Sequence, residues 1–248
     1  MTDFVILGFP KCATSALARL LATVDGLAIG YANGNLEAPF YLNPTEFEKY
    51  RHERAGISGY KNGHKYAAYI YTPSAVRRIA ANNDKVLYII CVRNPKRALV
   101  SWREMHRRIA LTGSPSEHFI NKSEAKQRFF SEASLDDYFA SWVGDRLKYA
   151  DHIRRTRSII GNARLAVVDQ GLLARDPMRV KTALAAELDR NCDPAGEFAT
   201  AETHVGLADK LSAPAMSAQL EAEMNAENDA LNRLLVELAA SSNTLVLR

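Results

Sequence analysis

Lys11, Thr14 and Ser15 stand within five residues of one another, between the apolar run Phe4-Val5-Ile6-Leu7 and the Ala/Leu-rich stretch Ala16-Leu17-Ala18-Arg19-Leu20-Leu21. An ammonium and two hydroxyls concentrated at one point are chemistry for holding an oxyanion. A second cation, Arg93, ends another apolar run, and Ser101 follows it by eight residues. Between these two groups lie Glu37, directly before Ala38-Pro39-Phe40, and Lys65, in an aromatic-rich stretch. Each of these two has two readings at this stage: a solvated surface charge, or a group placed beside a bound anion.

The elements that must position these residues follow from the pattern. A short continuous apolar run is the signature of a buried parallel strand, and the stretch after Ser15 has helical spacing, so the first twenty-one residues read as strand, tight loop and helix. Such a loop aims several backbone N–H groups and the positive end of the helix dipole at one point, with Lys11 and two hydroxyls beside it. A phosphate ester fits that point. The loop is not a Walker A motif, because it holds one glycine and its lysine precedes the helix. The competing reading is an ordinary strand-to-helix turn in which Thr14 or Ser15 merely caps the helix.

Lys85-Val86-Leu87-Tyr88-Ile89-Ile90-Cys91-Val92 is the most strand-like run and belongs in mid-sheet. It leads into Arg93-Asn94-Pro95 and a helix with Ala98, Leu99, Trp102, Met105 and Ile109 on one side. In open α/β sheets ligands bind outside the carboxyl ends of the strands, so Arg93 and Lys11 can meet on one ligand, with Ser101 about two turns into the helix.

Length and composition bound the rest. At 248 residues and 47% hydrophobic content, one α/β domain covering 1–248 is expected. Three scattered cysteines exclude a disulfide framework or a zinc site, and together with the lack of a signal peptide or a membrane-length apolar run they lead to the expectation of a cytoplasmic protein. The net charge of +4 is too mild for a nucleic-acid footprint. The clusters Arg103/Arg107/Arg108 and Arg154/Arg155/Arg157 read as solvated helix faces.

Further along, Leu27-Ala28-Ile29 reads as a short strand, Asn33-Gly34-Asn35 as a turn, 45–51 as a weak helix and 73–81 as a helix beginning at proline. Residues 112–133 read as a flexible excursion or short helices, and one long amphipathic helix is expected from Ser134 to Gly161. Leu165-Ala166-Val167-Val168 reads as a strand before Asp169, Asp176-Pro177 opens a helix, and a last helix begins near Pro214.

Taken together, these residues resemble the sulfotransferases that use 3'-phosphoadenosine 5'-phosphosulfate (PAPS). Pro10-Lys11-Cys12-Ala13-Thr14-Ser15-Ala16-Leu17 resembles the family's P-K-[SG]-G-T-[TS]-x-L loop, and Arg93, Pro95 and Ser101 match its R-x-P motif and following serine. The resemblance runs on through Tyr149, the 167–177 stretch and Glu227-Asn228. Three positions depart from the pattern: Ala13 for glycine, Leu36 for lysine and His64 for an acidic residue. The match is closer to the carbohydrate, heparan-type branch, in which a glutamate is the base, than to the phenol and steroid branch.

The resemblance implies a single-domain, P-loop-like α/β fold with a central parallel sheet, and in-line sulfuryl transfer from PAPS to an acceptor hydroxyl with PAP leaving. Lys11, Cys12, Ala13, Thr14, Ser15 and Ala16 would hold the 5'-phosphosulfate, and Arg93 with Ser101 the 3'-phosphate. Glu37 would be the base, and Lys11 and Lys65 would stabilise developing charge, with no metal required. The acceptor expected is a glycan or small molecule with a free hydroxyl, with no nucleic-acid partner; oligomeric state is left open. The alternatives are a small-molecule kinase, for which Leu165-Ala166-Val167-Val168-Asp169 has the hydrophobic-then-aspartate form of a Walker B strand, and a catalytically silent nucleotide-binding module.

Overall fold

The computed structural model describes residues 2–29, 37, 40–43, 45, 59–113, 123–192 and 215–248. Six strands form one sheet in the order β2-β3-β1-β4-β5-β6. They are β1 (Phe4–Gly8), β2 (Leu27–Ile29), β3 (Lys61–Lys65), β4 (Leu87–Val92), β5 (Leu165–Asp169) and β6 (Thr244–Leu247). Every pairing is parallel, and helices connect and flank the strands, which makes this an α/β fold. All of β1 and all of β4 are buried, as their unbroken apolar runs require of strands covered on both faces.

The chain separates into two compact units. The first comprises Met1–Arg93, Asp151–Thr203 and Arg233–Arg248 and contains the whole sheet. The second comprises Asn94–Ala150 and His204–Asn232. Its core gathers Trp102, His106, Phe130, Tyr138 and Trp142 edge to face around the His106 ring, whose Nδ1 lies 2.8 Å from the Tyr138 hydroxyl. Arg146 covers the outer indole faces, 5.9 Å from the Trp102 ring and 5.3 Å from Trp142.

Three elements differ from the sequence reading. β3 is a strand, although its sequence, Lys-Asn-Gly-His-Lys, carries no hydrophobic signal, and Lys65 is its last residue. Pairing on both sides buries this polar strand: Phe4 of β1 stands opposite Gly63, and Leu27 of β2 opposite Lys61. The long helix expected after Ser134 is broken. Leu135–Tyr138 passes into a wider turn at Phe139–Val143, where the Gly144 N–H bonds the Phe139 carbonyl, then a tight turn at Gly144–Leu147, and a fresh helix runs over Tyr149–Ile160. The apolar stripe already carries this break, since Ile153 comes six positions after Leu147, off the 3- and 4-residue steps of a helix face. Strand β6 was also missed, because four residues at the end of a helix are too few for a periodicity to register.

Elsewhere the expected helices form, with Pro73–Asn82, Pro95–Thr112 and Pro177–Glu187 each opening at proline. Among the described residues of the excursion a helix forms over Glu124–Glu132, and the last helix is Ala218–Ala239. The expected turn at Asn33-Gly34-Asn35 and all of the expected helix at 45–51 but Thr45 lie outside the described residues.

Gly63 holds the polar strand in place. A Cβ there would lie 2.0 Å from Cζ of Phe4, a ring that is itself fully buried. Gly63→Ala is expected to destabilise the protein by about 2 kcal/mol through overpacking, lowering the thermal midpoint by about 4–8 °C. Calorimetric melting of the purified variant checks this, and an unchanged midpoint would contradict it.

Candidate active site

The loop after β1 is shaped by its backbone. Lys11 has φ 64° and Ala13 has φ 63° and ψ 24°, so two non-glycine residues adopt the left-handed conformation with Cys12 between them. Each costs about 1–2 kcal/mol for a residue with a Cβ. The alternation turns successive N–H groups toward a common side, which is the backbone geometry of an anion nest. Ala13 is the N-cap of the helix Thr14–Leu21 and supplies no side-chain cap, so the helix's first N–H groups are left for a ligand or water. Neither Thr14 nor Ser15 caps the helix.

Neighbouring strands carry the rest. The Phe9 N–H donates to the Cys91 carbonyl at 2.9 Å, which ties the start of the loop to β4. Arg93, one residue beyond β4 and 9% exposed, donates from Nη1 to the Lys11 carbonyl at 3.4 Å. The loop lysine and the strand-end arginine therefore meet at the carboxyl tips of two adjacent parallel strands. Burial pushes the Cys91 thiol well above its ordinary range, with Cys12 adding to the effect and Lys65 opposing it. This thiol is a neutral packing group.

Lys65, at the tip of β3, is 2% exposed. Its ammonium donates to Ser15 Oγ at 2.9 Å and forms an ion pair with Glu37 Oε1. Glu37 continues the ladder beyond β3, bridging Lys65 in parallel fashion, and its carboxylate is about half exposed. The two residues with open readings in the sequence are thus bound to each other and to the anion loop.

The turn after Glu37 is anchored from several sides. Arg78 donates to the Tyr41 carbonyl at 2.7 Å and to the Leu42 carbonyl at 3.1 Å, and the Tyr41 phenol bonds Thr2. Burial pushes that phenol up to about 12, with the bond to Thr2 acting in the opposite direction. His64 is buried edge to face against Phe40 at 5.5 Å and Tyr41 at 5.9 Å, so it packs where an acidic residue was expected. These anchors were missed in the sequence, since nothing in their spacing links Thr2, Tyr41 and Arg78.

In the second unit, Ser101 is half-buried on the helix Pro95–Thr112, which Asn94 caps by accepting from the Arg97 N–H at 3.2 Å. Glu227 accepts from the Ala150 N–H at 3.1 Å, and Asn94 Nδ2 lies 3.3 Å from Asn228 Oδ1. Asp169, whose place after a strand had raised a Walker B possibility, accepts from the Leu172 N–H at 3.1 Å as the cap of the helix Gln170–Arg175. Among the described residues no group of three His, Cys, Asp or Glu side chains is arranged to hold a metal ion, and no helix is long and apolar enough to cross a membrane.

No family model matches this chain, and no curated protein matches it. Among solved structures it is similar to a sulfotransferase from Alicyclobacillus acidocaldarius, at 21% identity and a TM-score of 0.63, covering 97% of each chain. It is also similar to the sulfotransferase domain from the curacin biosynthetic pathway, at 14% identity and a TM-score of 0.48, covering 97% of this chain and 98% of that one. A mouse sulfotransferase, SULT7A1 complexed with PAP, matches at 15% identity and a TM-score of 0.46 over 77% of this chain and 59% of the other. The first likeness shows the fold: this sheet and its flanking helices are arranged as in a sulfotransferase.

The left-handed cap gives a direct test of the loop. Ala13→Gly removes the Cβ penalty at φ 63° but loosens the unfolded chain, for a net gain of about 0.5–1 kcal/mol. Urea unfolding checks the sign, and a loss of stability would mean that Ala13 is not left-handed in solution.

Proposed function

We propose that this protein transfers a sulfuryl group from PAPS to an acceptor hydroxyl, on a carbohydrate or glycoconjugate, and releases PAP. The observation that carries this reading is the contact between Arg93 and the Lys11 carbonyl, with the Lys65–Glu37 pair bonded to Ser15 of the same loop. It is supported by residues bearing three cations and a carboxylate at the ends of three neighbouring strands, since an open α/β sheet binds its ligand there. The fold shared with the Alicyclobacillus protein and the loop resemblance support it further.

In this reading the loop N–H groups of residues 13–16 and Lys11 hold the 5'-phosphosulfate, the Cys12 N–H assigned to it from the sequence being bonded to the Phe9 carbonyl at 3.2 Å, and Arg93 holds the 3'-phosphate, with Ser101 assigned to that phosphate from the sequence. The planar guanidinium suits a terminal phosphate because it donates to two oxygens at once. Glu37 takes the proton from the acceptor hydroxyl as its oxygen bonds sulfur. The bond from sulfur to the bridging oxygen breaks, and the electron pair leaves with PAP. Lys11 neutralises that leaving oxygen, and Lys65 faces the sulfuryl oxygens in transit. The Lys65–Glu37 contact keeps base and cation adjacent, so one ion pair orients both.

Adenosine 3',5'-bisphosphate and adenosine 5'-phosphate separate the two anion pockets. Arg93→Ala should weaken the bisphosphate at least tenfold by calorimetry while changing the monophosphate less than about twofold. Equal losses would reject the assignment of Arg93. With sulfur-labelled donor and fractionated extract as acceptor source, wild type should label a hydroxyl compound in a single turnover. Glu37→Gln should slow that turnover by about 10²–10⁴-fold, and a near-wild-type rate would remove Glu37 as base.

A further inference from the structure

The first turns of the helix Tyr149–Ile160 bring a second polar group to the strand tips, within the same unit as the anion loop. Gly8 sets the distance: a Cβ there would lie 2.7 Å from the Ala67 carbonyl oxygen and 2.8 Å from Cγ2 of Ile70, so the turn after β3 lies directly against the start of the loop. From that junction Phe9, Tyr71 and His152 form a three-ring cluster. Phe9 lies 6.0 Å from each of the other two centroids, and Tyr71 packs edge to face on His152 at 4.9 Å. Phe9 is fully buried, whereas Tyr71 and His152 are half-exposed. The cluster therefore has a buried floor and an accessible rim, two residues from Lys11 along the loop and six from Lys65 along the turn.

Arg155 completes the rim. Its Nη2 donates to the Ile70 carbonyl at 3.2 Å and lies 2.6 Å from His152 Nδ1. A guanidinium has no acceptor, so His152 Nδ1 accepts and the neutral ring carries its hydrogen on Nε2. These two bonds use both Nη2 hydrogens and fix the head group, leaving Nη1 and the full positive charge of an exposed side chain. The neighbouring arginines are engaged differently: Arg154 is 3.7 Å from Asp151, and Arg157 donates to the Ala163 carbonyl at 2.7 Å. Among the described residues no carboxylate stands within ion-pair distance of Arg155. A cation that the fold orients with two bonds but does not neutralise is a receptor for an anionic group from outside.

We propose that Arg155, oriented by His152 and the Ile70 carbonyl, selects acceptors that carry a carboxylate in addition to the hydroxyl to be sulfated. Arg155 takes the carboxylate, at the rim it shares with Tyr71 and His152. The inference rests on the transferase reading for the word acceptor, but the carboxylate site stands on its own geometry.

The test uses two matched pairs that differ in charge and not in shape: 4-hydroxybenzoate with 4-hydroxybenzamide, and methyl glucuronide with methyl glucoside. Binding is followed by ligand-observed NMR titration, with and without saturating PAP. At least one acid should bind wild type about tenfold more tightly than its neutral partner, and the pair that responds identifies an aromatic or a sugar acceptor body. Arg155→Gln should abolish that preference while leaving the neutral partner and PAP affinity unchanged. Arg155→Lys, which keeps the charge if the glutamine variant folds poorly, should retain the preference within about threefold. Acids and neutral partners binding alike, no binding by either pair, or a preference that survives Arg155→Gln would each overturn the inference. Failure of wild type to bind PAP would count against the transferase reading alone, since the acid preference is read in PAP-free protein as well.

Discussion

An ammonium removed from water must find an anion or neutral acceptors at once, because an isolated buried charge costs far more than a folded domain can spare. Lys65 is such a group, and its environment follows from the requirement. It reaches Glu37 on one side and Ser15 on the other, and in doing so joins three stretches distant in sequence: the anion loop, the ladder beyond β3 and β3 itself. The pair is lopsided, with the lysine buried and the carboxylate half exposed, so the lysine is fixed while the carboxylate keeps contact with solvent. In the proposed transfer, that asymmetry suits a fixed cation beside a carboxylate that exchanges a proton.

The loop after β1 meets the same demand from the opposite side. It gathers positive partial charge from backbone N–H groups by placing Lys11 and Ala13 in a conformation that L-residues avoid. The cost is tolerated because the loop is held on both flanks, by the Phe9 bond to Cys91 and by the Arg93 bond to the Lys11 carbonyl. A glycine at position 13 would carry no such penalty, so Ala13 costs backbone energy at this turn. The buried thiols of Cys12 and Cys91 fill space beneath the loop.

Strands β1 and β4 were legible because burial on both faces demands an unbroken apolar run, and the proline-opened helices because proline marks their starts. β3 was illegible for the converse reason. Its burial comes from pairing between β1 and β2, from the Phe4 ring over Gly63 and from a charge partner for Lys65, none of which leaves a periodic trace in five polar residues. The broken helix after Ser134 was half visible, since the apolar stripe loses its spacing past Leu147 while local composition still favours helix. Arg155 was read as one of a solvated row, and only its bonds to Ile70 and His152 separate it from Arg154 and Arg157.

Taken alone, the sequence determined the parallel α/β class, the strand-loop-helix at Lys11 and the strand-end placement of Arg93, because each depends on interactions between residues close along the chain. Tertiary structure decided which charges meet. Lys65 with Glu37, Arg93 with the Lys11 carbonyl and Arg155 with Ile70 are separated by 28, 82 and 85 positions, and those separations close only when parallel strands set their carboxyl ends side by side. Local propensity acts over a few residues, whereas a binding site in an open sheet is assembled from the ends of several strands at once.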